Sequence, residues 1–244
     1  MNNIICAKWG TYYGPEYVNI LYSMIKRNTT TPFRFICLTD NHTGIREKIE
    51  TKTLLDKSLE GWGAKVALFQ SPLFDIEGPV LSIDLDMVIV DNIDCFFDYE
   101  PDEFCMKWDY AGHGHSSCVM RHEAGKYGHI YNDLEINEED FAIHNTVAGF
   151  KKKKYWGDQA WITEQMEGNV KIWPKEWVQK FLKDCHRNPE TKKSIEERDE
   201  QFAHRLDLSK EEFFIPKDCK IIAFSGVHGR NETELDKIGK WWKL

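Results

Sequence analysis

An apolar run at residues 80–83, Val-Leu-Ser-Ile, leads directly into Asp84, Leu85 and Asp86, and this stretch constrains the fold most strongly. The run predicts a buried β-strand, and residues two apart on an extended chain point the same way. The two carboxylates should therefore face one ligand while Leu85 points to the core. Carboxylates this close repel each other unless a cation lies between them, and Mg²⁺ or Mn²⁺ suits such oxygen ligands. On spacing alone, a simple acidic turn stays open.

The chain before this run predicts a strand–helix–strand order. Residues 3–8 and Phe33–Thr39 are predicted strands, and apolar side chains at helical spacing predict a helix over Pro15–Arg27. This order predicts an α/β fold with a mostly parallel sheet flanked by helices, on which ligands bind at the carboxyl ends of the strands. One pocket is therefore expected to contain the residues that follow strand ends: Trp9, Gly10, Asp40 and Asp84.

Further elements are predicted downstream. A short helix at 63–70 carries Lys65 toward the same edge, and a helix at 158–166 begins with Asp158, a favourable place for a carboxylate. The remaining predicted elements are strands at 104–108, 118–120, 170–173 and 220–224 and a helix at 123–134.

Length and composition favour one domain of 244 residues with a charged insertion at about 187–212, where 14 of 26 residues are Asp, Glu, Lys or Arg. That composition predicts an exposed helix pair or a mobile lid. The net charge of −8 argues against nucleic-acid binding. No apolar run approaches the roughly 20 residues of a membrane span. Seven scattered cysteines, with no signal-peptide pattern, indicate free thiols and a cytoplasmic location.

Several motifs occur together in a characteristic order. They are Trp9-Gly10 with Tyr17-Val18-Asn19, Cys37-Leu38-Thr39-Asp40, Gly61-Trp62 with Lys65, Ile83-Asp84-Leu85-Asp86, Ser116-Ser117-Cys118-Val119-Met120, Gly157-Asp158-Gln159-Ala160-Trp161-Ile162-Thr163, and Trp173-Pro174 with Trp177-Val178. This set resembles nucleotide-sugar glycosyltransferases of the GT-A fold, whose DxD motif matches Asp84 and Asp86. It is similar to bacterial-type glycosyltransferases related to the glycogenin and galactosyltransferase-like retaining family. The resemblance covers most of the chain and is weak at 187–212.

The resemblance implies a metal-dependent enzyme that moves a hexose from an NDP-sugar, in particular a UDP-sugar, to a glycan or glycoconjugate acceptor, with retention of configuration. It places Asp84 and Asp86 on Mn²⁺ or Mg²⁺, which acts as a Lewis acid on the diphosphate leaving group. It places Asp158 and Gln159 beside the sugar as catalytic residues. Asp158 as a helix cap alone stays open.

The resemblance also implies donor contacts. Trp9, Gly10, Tyr12 and Tyr13 match nucleotide-binding positions, where an aromatic ring stacks on the base and glycine allows close approach. The other implied contacts are Asp40 on base or ribose, Lys65 on phosphate, and Ser116 and Ser117 on the donor sugar. The alternatives stay open: the aromatic residues pack in the core, Asp40 is a turn former and Lys65 is a surface lysine. The two serine hydroxyls are then structural.

The chain departs from the family after its last predicted strand. The family usually has Phe-His-Gly there, and that His completes the metal site, whereas Ser225 occupies the position here. A serine hydroxyl is a poor ligand for Mn²⁺ beside imidazole. His228, between two glycines that let the loop bend, is therefore predicted as the third protein ligand, with Arg230 near the diphosphate. A surface loop histidine is the alternative.

Other kinds of protein fit less well. His113, His115 and Cys118, with His122 and His129 nearby, lack the spacing of a zinc site, and loop and strand packing is favoured. A metal-dependent phosphohydrolase carries its nucleophilic Asp after the first strand, and a nucleotidyltransferase carries a Gly-rich loop with Arg there; residues 9–14 provide neither. A non-catalytic sugar- or nucleotide-binding module of the same fold does not need two carboxylates on a metal.

Overall fold

The computed structural model describes residues 1–54, 63–109, 115–136, 157–195, 197, 208–224 and 235–244. The chain forms two compact units. Unit 1 comprises Met1–Asn19, Thr31–Leu85 and Cys95–Trp173, and unit 2 comprises Ile20–Thr30, Asp86–Asp94 and Pro174–Leu244. Whether the two units make the single domain predicted from length stays a prediction.

Unit 1 contains a seven-stranded sheet. Its strands are β1 (Asn2–Lys8), β2 (Phe33–Thr39), β3 (Glu50–Thr53), β4 (Pro79–Ile83), β6 (Cys105–Trp108), β7 (His115–Glu123) and β8 (Lys171–Ile172). The order across the sheet is β3-β2-β1-β4-β7-β6-β8. Strands β1 to β4 pair in parallel, as do β6 and β8, whereas β7 runs antiparallel to β4 and β6. The mostly parallel α/β sheet predicted from the sequence is therefore confirmed.

The central strands are apolar because both faces of a parallel sheet are covered. One cluster joins β1, β2 and β4 to the helical stretch 63–69 through side chains such as Ile5, Leu38, Leu68 and Val80. A second joins β6 and β7 to the helix that starts at Asp158; its members include Phe104, Met106, Met120, Trp161 and Ile162. These clusters fix the strand ends around which the site is built.

Three described helical segments of the structure, at Pro15–Arg27, 63–69 and 158–165, follow the predicted bounds closely, whereas the short helix at 95–98 was not predicted. The described helices of residues 1–165 are α1 (Pro15–Arg27), α2 (Gly63–Val66) with a 3₁₀ turn at Ala67–Phe69, α3 (Cys95–Asp98), α4 (Gly128–Asn132) with a 3₁₀ turn at Asp133–Ile136, and α5 (Asp158–Gln165). Helix α1 has Glu16 in its first turn and Lys26 and Arg27 in its last, in agreement with the helix dipole. No helix of the described residues has both the length and the apolar character that a membrane span requires.

Two predicted elements were wrong in extent. The strand predicted at 118–120 is the nine-residue β7, which is longer because it pairs with β4 on one side and β6 on the other. The helix predicted at 123–134 begins only at Gly128. Glu123 still belongs to the sheet, where it pairs with Pro79, and Gly125 then turns the chain at φ +70°.

The described residues of unit 2 form two smaller sheets. Their strands are β5 (Val88–Ile89), β9 (Val178–Lys180), β10 (His186–Arg187), β11 (Glu212–Phe213) and β12 (Ile221–Ala223), and its short helices are α6 (Phe181–Asp184) and α7 (Leu235–Ile238). Strand β12 lies between β5 and β9, while β10 pairs with β11. The flanks of the charged segment 187–212 are thus joined, by the β10–β11 pairing and by an ion pair of 2.8 Å between Arg187 and Glu212. Its residues 196 and 198–207 lie outside the described part, so the lid stays a prediction.

Candidate active site

The strand directions of unit 1 bring many of the predicted site residues to one edge of the sheet. Strands β1, β2 and β4 run parallel, so that Trp9, Asp40 and Asp84 follow them at the same edge. Because β7 is antiparallel to β4, its first residues lie at that edge too, and the last residue of β6, Trp108, pairs with His115 there. The carboxyl ends of parallel strands are the usual ligand-binding edge of such sheets.

Lys65, on helix α2, is the centre of a charged cluster at this edge. Its Nζ lies 2.6 Å from Asp84 Oδ1 and 3.2 Å from Asp158 Oδ2. The same ammonium donates to Ser117 Oγ at 3.1 Å, and the Ser117 hydroxyl donates to Asp158. Three elements and the end of a fourth therefore meet in this cluster of one lysine, two aspartates and one serine. The Lys65 side chain is only 12% exposed, so it is not an ordinary surface lysine.

The charges of this cluster do not balance. Burial raises the pKa of Asp84 to about 6, and Asp158 reinforces the shift while the Lys65 ammonium opposes it. Burial disfavours the charged form of Lys65, but Asp158 and Asp84 outweigh it and raise the pKa of this lysine above its usual value. In this cluster one ammonium therefore faces two carboxyl groups, an arrangement that favours the approach of further positive charge.

Helix α5 positions both predicted catalytic residues. Asp158 is its first residue, and its side chain reaches Lys65 and Ser117 instead of only capping the helix. Gln159 Nε2 donates to Asp109 Oδ2 at 3.1 Å, and Asp109 is buried directly after β6. The helix is also tied to β7, because the backbone N–H of His115 donates to Thr163 Oγ1 at 2.9 Å.

The two predicted sugar-binding serines lie on opposite sides of β7. Ser117 is buried and belongs to the Lys65 cluster. Ser116 Oγ instead lies 3.3 Å from Cys118 Sγ, two residues away on the same strand. Alternation along a strand explains the difference, since neighbouring residues face opposite ways. Of the pair, Ser117 is therefore the one beside Asp158.

The predicted nucleotide-binding loop is anchored at Gly10. Its N–H donates to Asp40 Oδ2 at 3.1 Å, and its carbonyl accepts from Lys8 Nζ at 3.1 Å. Gly10 has φ +62°, a conformation that other residues rarely adopt, although a Cβ there would meet no atom within 4 Å. The backbone conformation, and not the available space, thus accounts for glycine at this position.

The aromatic residues of this loop differ in exposure. Trp9 is half-buried and packs against the core of β1, β2 and β4, as the packing alternative predicted. Tyr12 is 60% exposed and meets Tyr13 edge-on, with ring centroids 4.8 Å apart. Tyr13 in turn lies 4.7 Å from the ring of Tyr17 on helix α1. Tyr12 is therefore the ring that is open to a ligand.

The described Lys65 cluster does not include the remaining predicted metal and diphosphate ligands. Asp86 belongs to unit 2, and His228 and Arg230, with Ser225, lie outside the described residues. Among the residues that the structure describes, no group of three or more His, Cys, Asp or Glu side chains is arranged to hold a metal ion. Of the histidines, His122 is buried and packs against the ring of Phe69 at 4.8 Å, in agreement with strand packing.

Three residues of the site were missed from the sequence. Asp109 follows a predicted strand just as Asp40 and Asp84 do, and that shared position was the available signal. Lys8 is the last residue of the apolar strand β1 and is only 4% exposed, an unusual burial for a charged residue. Thr163 gave no sign of its role, because its contact with the backbone of His115 joins residues 48 positions apart.

No protein-family model and no curated protein matches the sequence. The structure is similar to solved glycosyltransferases. GlyE of Streptococcus pneumoniae TIGR4 gives a TM-score of 0.59 at 12% identity, covering 93% of this chain and 56% of GlyE. The galactosyltransferase LgtC, solved with donor and acceptor sugar analogs, gives a TM-score of 0.58 at 12% identity. This match covers 99% of this chain and 97% of LgtC. The bifunctional glycosyltransferase WbbM gives 0.55 at 13% identity, covering 92% of this chain and 46% of WbbM.

The chain thus spans about half the length of GlyE and WbbM and nearly all of LgtC. At such low identity the similarity shows the fold. The GT-A fold predicted from the sequence is therefore confirmed.

Proposed function

We propose that this chain is a metal-dependent glycosyltransferase that moves a hexose from an NDP-sugar, in particular a UDP-sugar, to a glycan or glycoconjugate acceptor. The observation that carries this proposal is the Lys65–Asp84–Asp158 cluster at the carboxyl edge of the GT-A sheet. In the overall reaction the bond from the anomeric carbon to the phosphate oxygen breaks, and an acceptor oxygen bonds to that carbon. NDP and the hydroxyl proton of the acceptor are released.

The chemistry of the donor set suits a hard divalent cation. Asp84 supplies carboxylate oxygens, and together with Asp158 it gives the cluster two carboxyl groups to the one ammonium of Lys65. In the proposed site Asp84, Asp86 and His228 would hold Mn²⁺ or Mg²⁺. When bound, the ion supplies Lewis-acid stabilisation of the departing diphosphate.

Lys65 bridges the two aspartates. Its ammonium is an additional positive charge for the donor phosphates, and its burial strengthens that effect because water screens it poorly. Removal of the lysine would leave Asp84 and Asp158 facing each other without a cation. Lys65 is therefore assigned to donor binding and to positioning of both carboxylates.

Asp158 and Gln159 are assigned to the sugar. Asp158 is oriented by Ser117 and Lys65, and Gln159 is held by Asp109, so both side chains are preorganised. A solved active-site mutant of LgtC has glutamate in place of glutamine, which supports an active-site role for the Gln159 amide. Transfer with retention of configuration belongs to this proposal.

The nucleotide is assigned to the loop after β1. Gly10 and Asp40 fix its backbone, and Tyr12 offers an exposed ring to the base. Tyr13 packs edge-on against that ring, Trp9 stays assigned to the nucleotide through the resemblance, and Arg230 is assigned to the diphosphate. The seven free thiols support a reducing, cytoplasmic location for the reaction.

The direct test is release of nucleotide from a panel of UDP- and GDP-hexoses with Mn²⁺, measured with and without sugar acceptors. We expect one donor to release nucleotide slowly by transfer to water and faster with an acceptor. Lys65→Met should lower the rate, while Lys52→Met, at an ion pair elsewhere in the same sheet, should not. Binding of UDP without turnover of any donor would favour the non-catalytic binding module instead.

A further inference from the structure

Trp108, the last residue of β6, is an exposed aromatic side chain at the same edge as the charged cluster. Phe104 and Met106, at alternate positions of this segment, belong to the core that contains Trp161 and Ile162 of helix α5. Trp108 continues this alternation but is 50% exposed. The row of apolar side chains therefore ends at the site with an indole open to solvent.

The indole of Trp108 is held in place by the neighbouring ring of His115. Trp108 pairs with His115 across the sheet, and their ring centroids lie 5.7 Å apart at an angle of 70°. Burial lowers the pKa of His115, so its imidazole is neutral at physiological pH and packs as an aromatic ring. The His115 backbone is itself fixed to α5 through Thr163. A single exposed apolar residue is common, but one braced in this way is preorganised for a flat ligand.

The chain around Trp108 connects it to both catalytic candidates. The next residue, Asp109, accepts the hydrogen bond from Gln159. Its partner His115 lies two residues before Ser117 on β7, a separation of about 7 Å, and Ser117 contacts Asp158. This spacing is on the order of one sugar ring. A ring on Trp108 would therefore lie next to a sugar held at Asp158.

We propose that Trp108, braced by His115, is a platform for a pyranose ring of the acceptor. The C–H groups on one face of a pyranose form an apolar surface that packs on an indole, while its hydroxyls stay in water. The nucleotide is assigned to the Gly10 loop and the donor sugar to the Lys65 cluster. A ring on Trp108 would be the next sugar ring after the donor sugar, which is the position of an acceptor. This inference rests on the proposed function for the identity of the ring as acceptor.

The test is saturation-transfer NMR with methyl β-galactoside, methyl β-glucoside, methyl N-acetyl-β-glucosaminide and lactose, and separately with UDP and Mn²⁺. We expect at least one sugar to bind the wild-type chain and to bind Trp108→Ala about tenfold more weakly. Trp108→Phe should recover most of the affinity, and His115→Ala should have a smaller effect than Trp108→Ala. Trp241→Ala, an indole of unit 2 beside Lys240, is the matched control and should change nothing.

The outcomes separate the two proposals. UDP should bind wild type and Trp108→Ala equally, which also shows that the variant is folded. Absence of sugar binding in the wild type, or equal sugar binding in Trp108→Ala, would overturn the platform. Weaker UDP binding with unchanged sugar binding in Trp108→Ala would place the indole on the donor side and also overturn it. Failure of UDP to bind wild type, with sugar binding intact, would count against the proposed donor site alone.

Discussion

Unit 1 contains two groups of acidic and basic side chains that differ in one decisive respect. At the β2–β3 edge, Arg34 and Lys52 pair with Glu50 and Asp75 over distances of 2.5–2.9 Å. Two cations meet two carboxylates there, and the Asp75 side chain is 62% exposed. In the Lys65 cluster one cation meets two carboxylates, and the lysine is largely buried.

The difference appears in the protonation of the carboxyls. Hydrogen bonds from Lys52 and Arg34 lower the pKa of Asp75, and that from Arg34 lowers the pKa of Glu50 against the effect of desolvation. Burial raises the pKa of Asp84 instead. The first network satisfies its own charges and is structural, and exposed ion pairs of this kind contribute little to stability. The second has two carboxyl groups around a single, largely buried ammonium, which is expected where a cation or cationic complex binds.

The largest expected difference between the two groups is in catalysis. Asp158→Asn should reduce transfer by at least about 10²-fold, the scale of a catalytic carboxylate, with nucleotide binding nearly intact. Asp75→Asn removes a carboxylate with two cationic partners and should leave the rate unchanged. Steady-state rates of nucleotide release measure both. Near-normal turnover in a folded Asp158→Asn protein would reduce this residue to a helix cap.

The second prediction concerns the third protein ligand of the metal, beside Asp84 and Asp86. We expect His228→Ala to weaken Mn²⁺-dependent UDP binding about tenfold, because the imidazole is predicted as the third protein ligand. Ser225→Ala should bind UDP as the wild type does, since its hydroxyl is a poor ligand. Titration of UDP at fixed Mn²⁺ compares the two variants. A loss in neither variant would leave two carboxylates and water as the ligands, and a loss only in the serine variant would assign the third position to Ser225 instead.

The charged segment 187–212 provides a third comparison. Its described ends resemble the β2–β3 network, because Glu212 pairs with both Arg187 and Lys192. We expect replacement of residues 198–206 by a short Gly-Ser linker to raise the acceptor KM about threefold while donor hydrolysis stays constant. The rate of transfer at varied acceptor concentration and the rate of donor hydrolysis, measured on the same preparation, test this prediction. An equal fall of both, with a lower melting temperature, would make the segment scaffold.

The smallest expected effect is on stability, and its sign differs between the groups. Because folding raises the pKa of Asp84 from 3.8 to about 6, its protonated form is favoured by folding, and stability is lost as pH rises through this range. In EDTA, Asp84→Asn should therefore raise the melting temperature at pH 7.5, by about 2 °C, and change it little at pH 4. The pKa of Asp75 is lowered, so Asp75→Asn should lower the melting temperature at pH 7.5. If both variants shifted the melting temperature at pH 7.5 in the same direction, the proposed difference between the two groups would be wrong.

The sequence predicts best what local pattern determines. Helix α1 and strand β2 match their predicted bounds, because apolar periodicity and terminal residues such as Pro15 act within one element. The strand ends at Asp40 and Asp84 were likewise found from the point where apolar runs stop. The parallel order that brings them together then follows from the strand–helix–strand pattern.

Long-range pairing accounts for what the sequence did not predict. Strand β7 contains Ser116 and Ser117, which interrupt its apolar pattern, so that only its pairing with β4 and β6 extends it. The contact of Gln159 with Asp109 joins residues 50 apart, and the Lys65–Asp84 pair joins a helix to a strand end. Such side-chain contacts depend on the folded sheet and leave no local signature.

The central claim is that the carboxyl group of Asp84, in the Lys65 cluster, serves to bind a nucleotide diphosphate through a divalent cation. Its most direct test is the melting temperature of the chain with UDP in Mn²⁺ and with UDP in EDTA, because a ligand that binds only the folded state raises it. We expect clear stabilisation in Mn²⁺ and little in EDTA, for the wild type and for Asp75→Asn, and no Mn²⁺-dependent gain for Asp84→Asn. Equal stabilisation by UDP in Mn²⁺ and in EDTA would contradict the account.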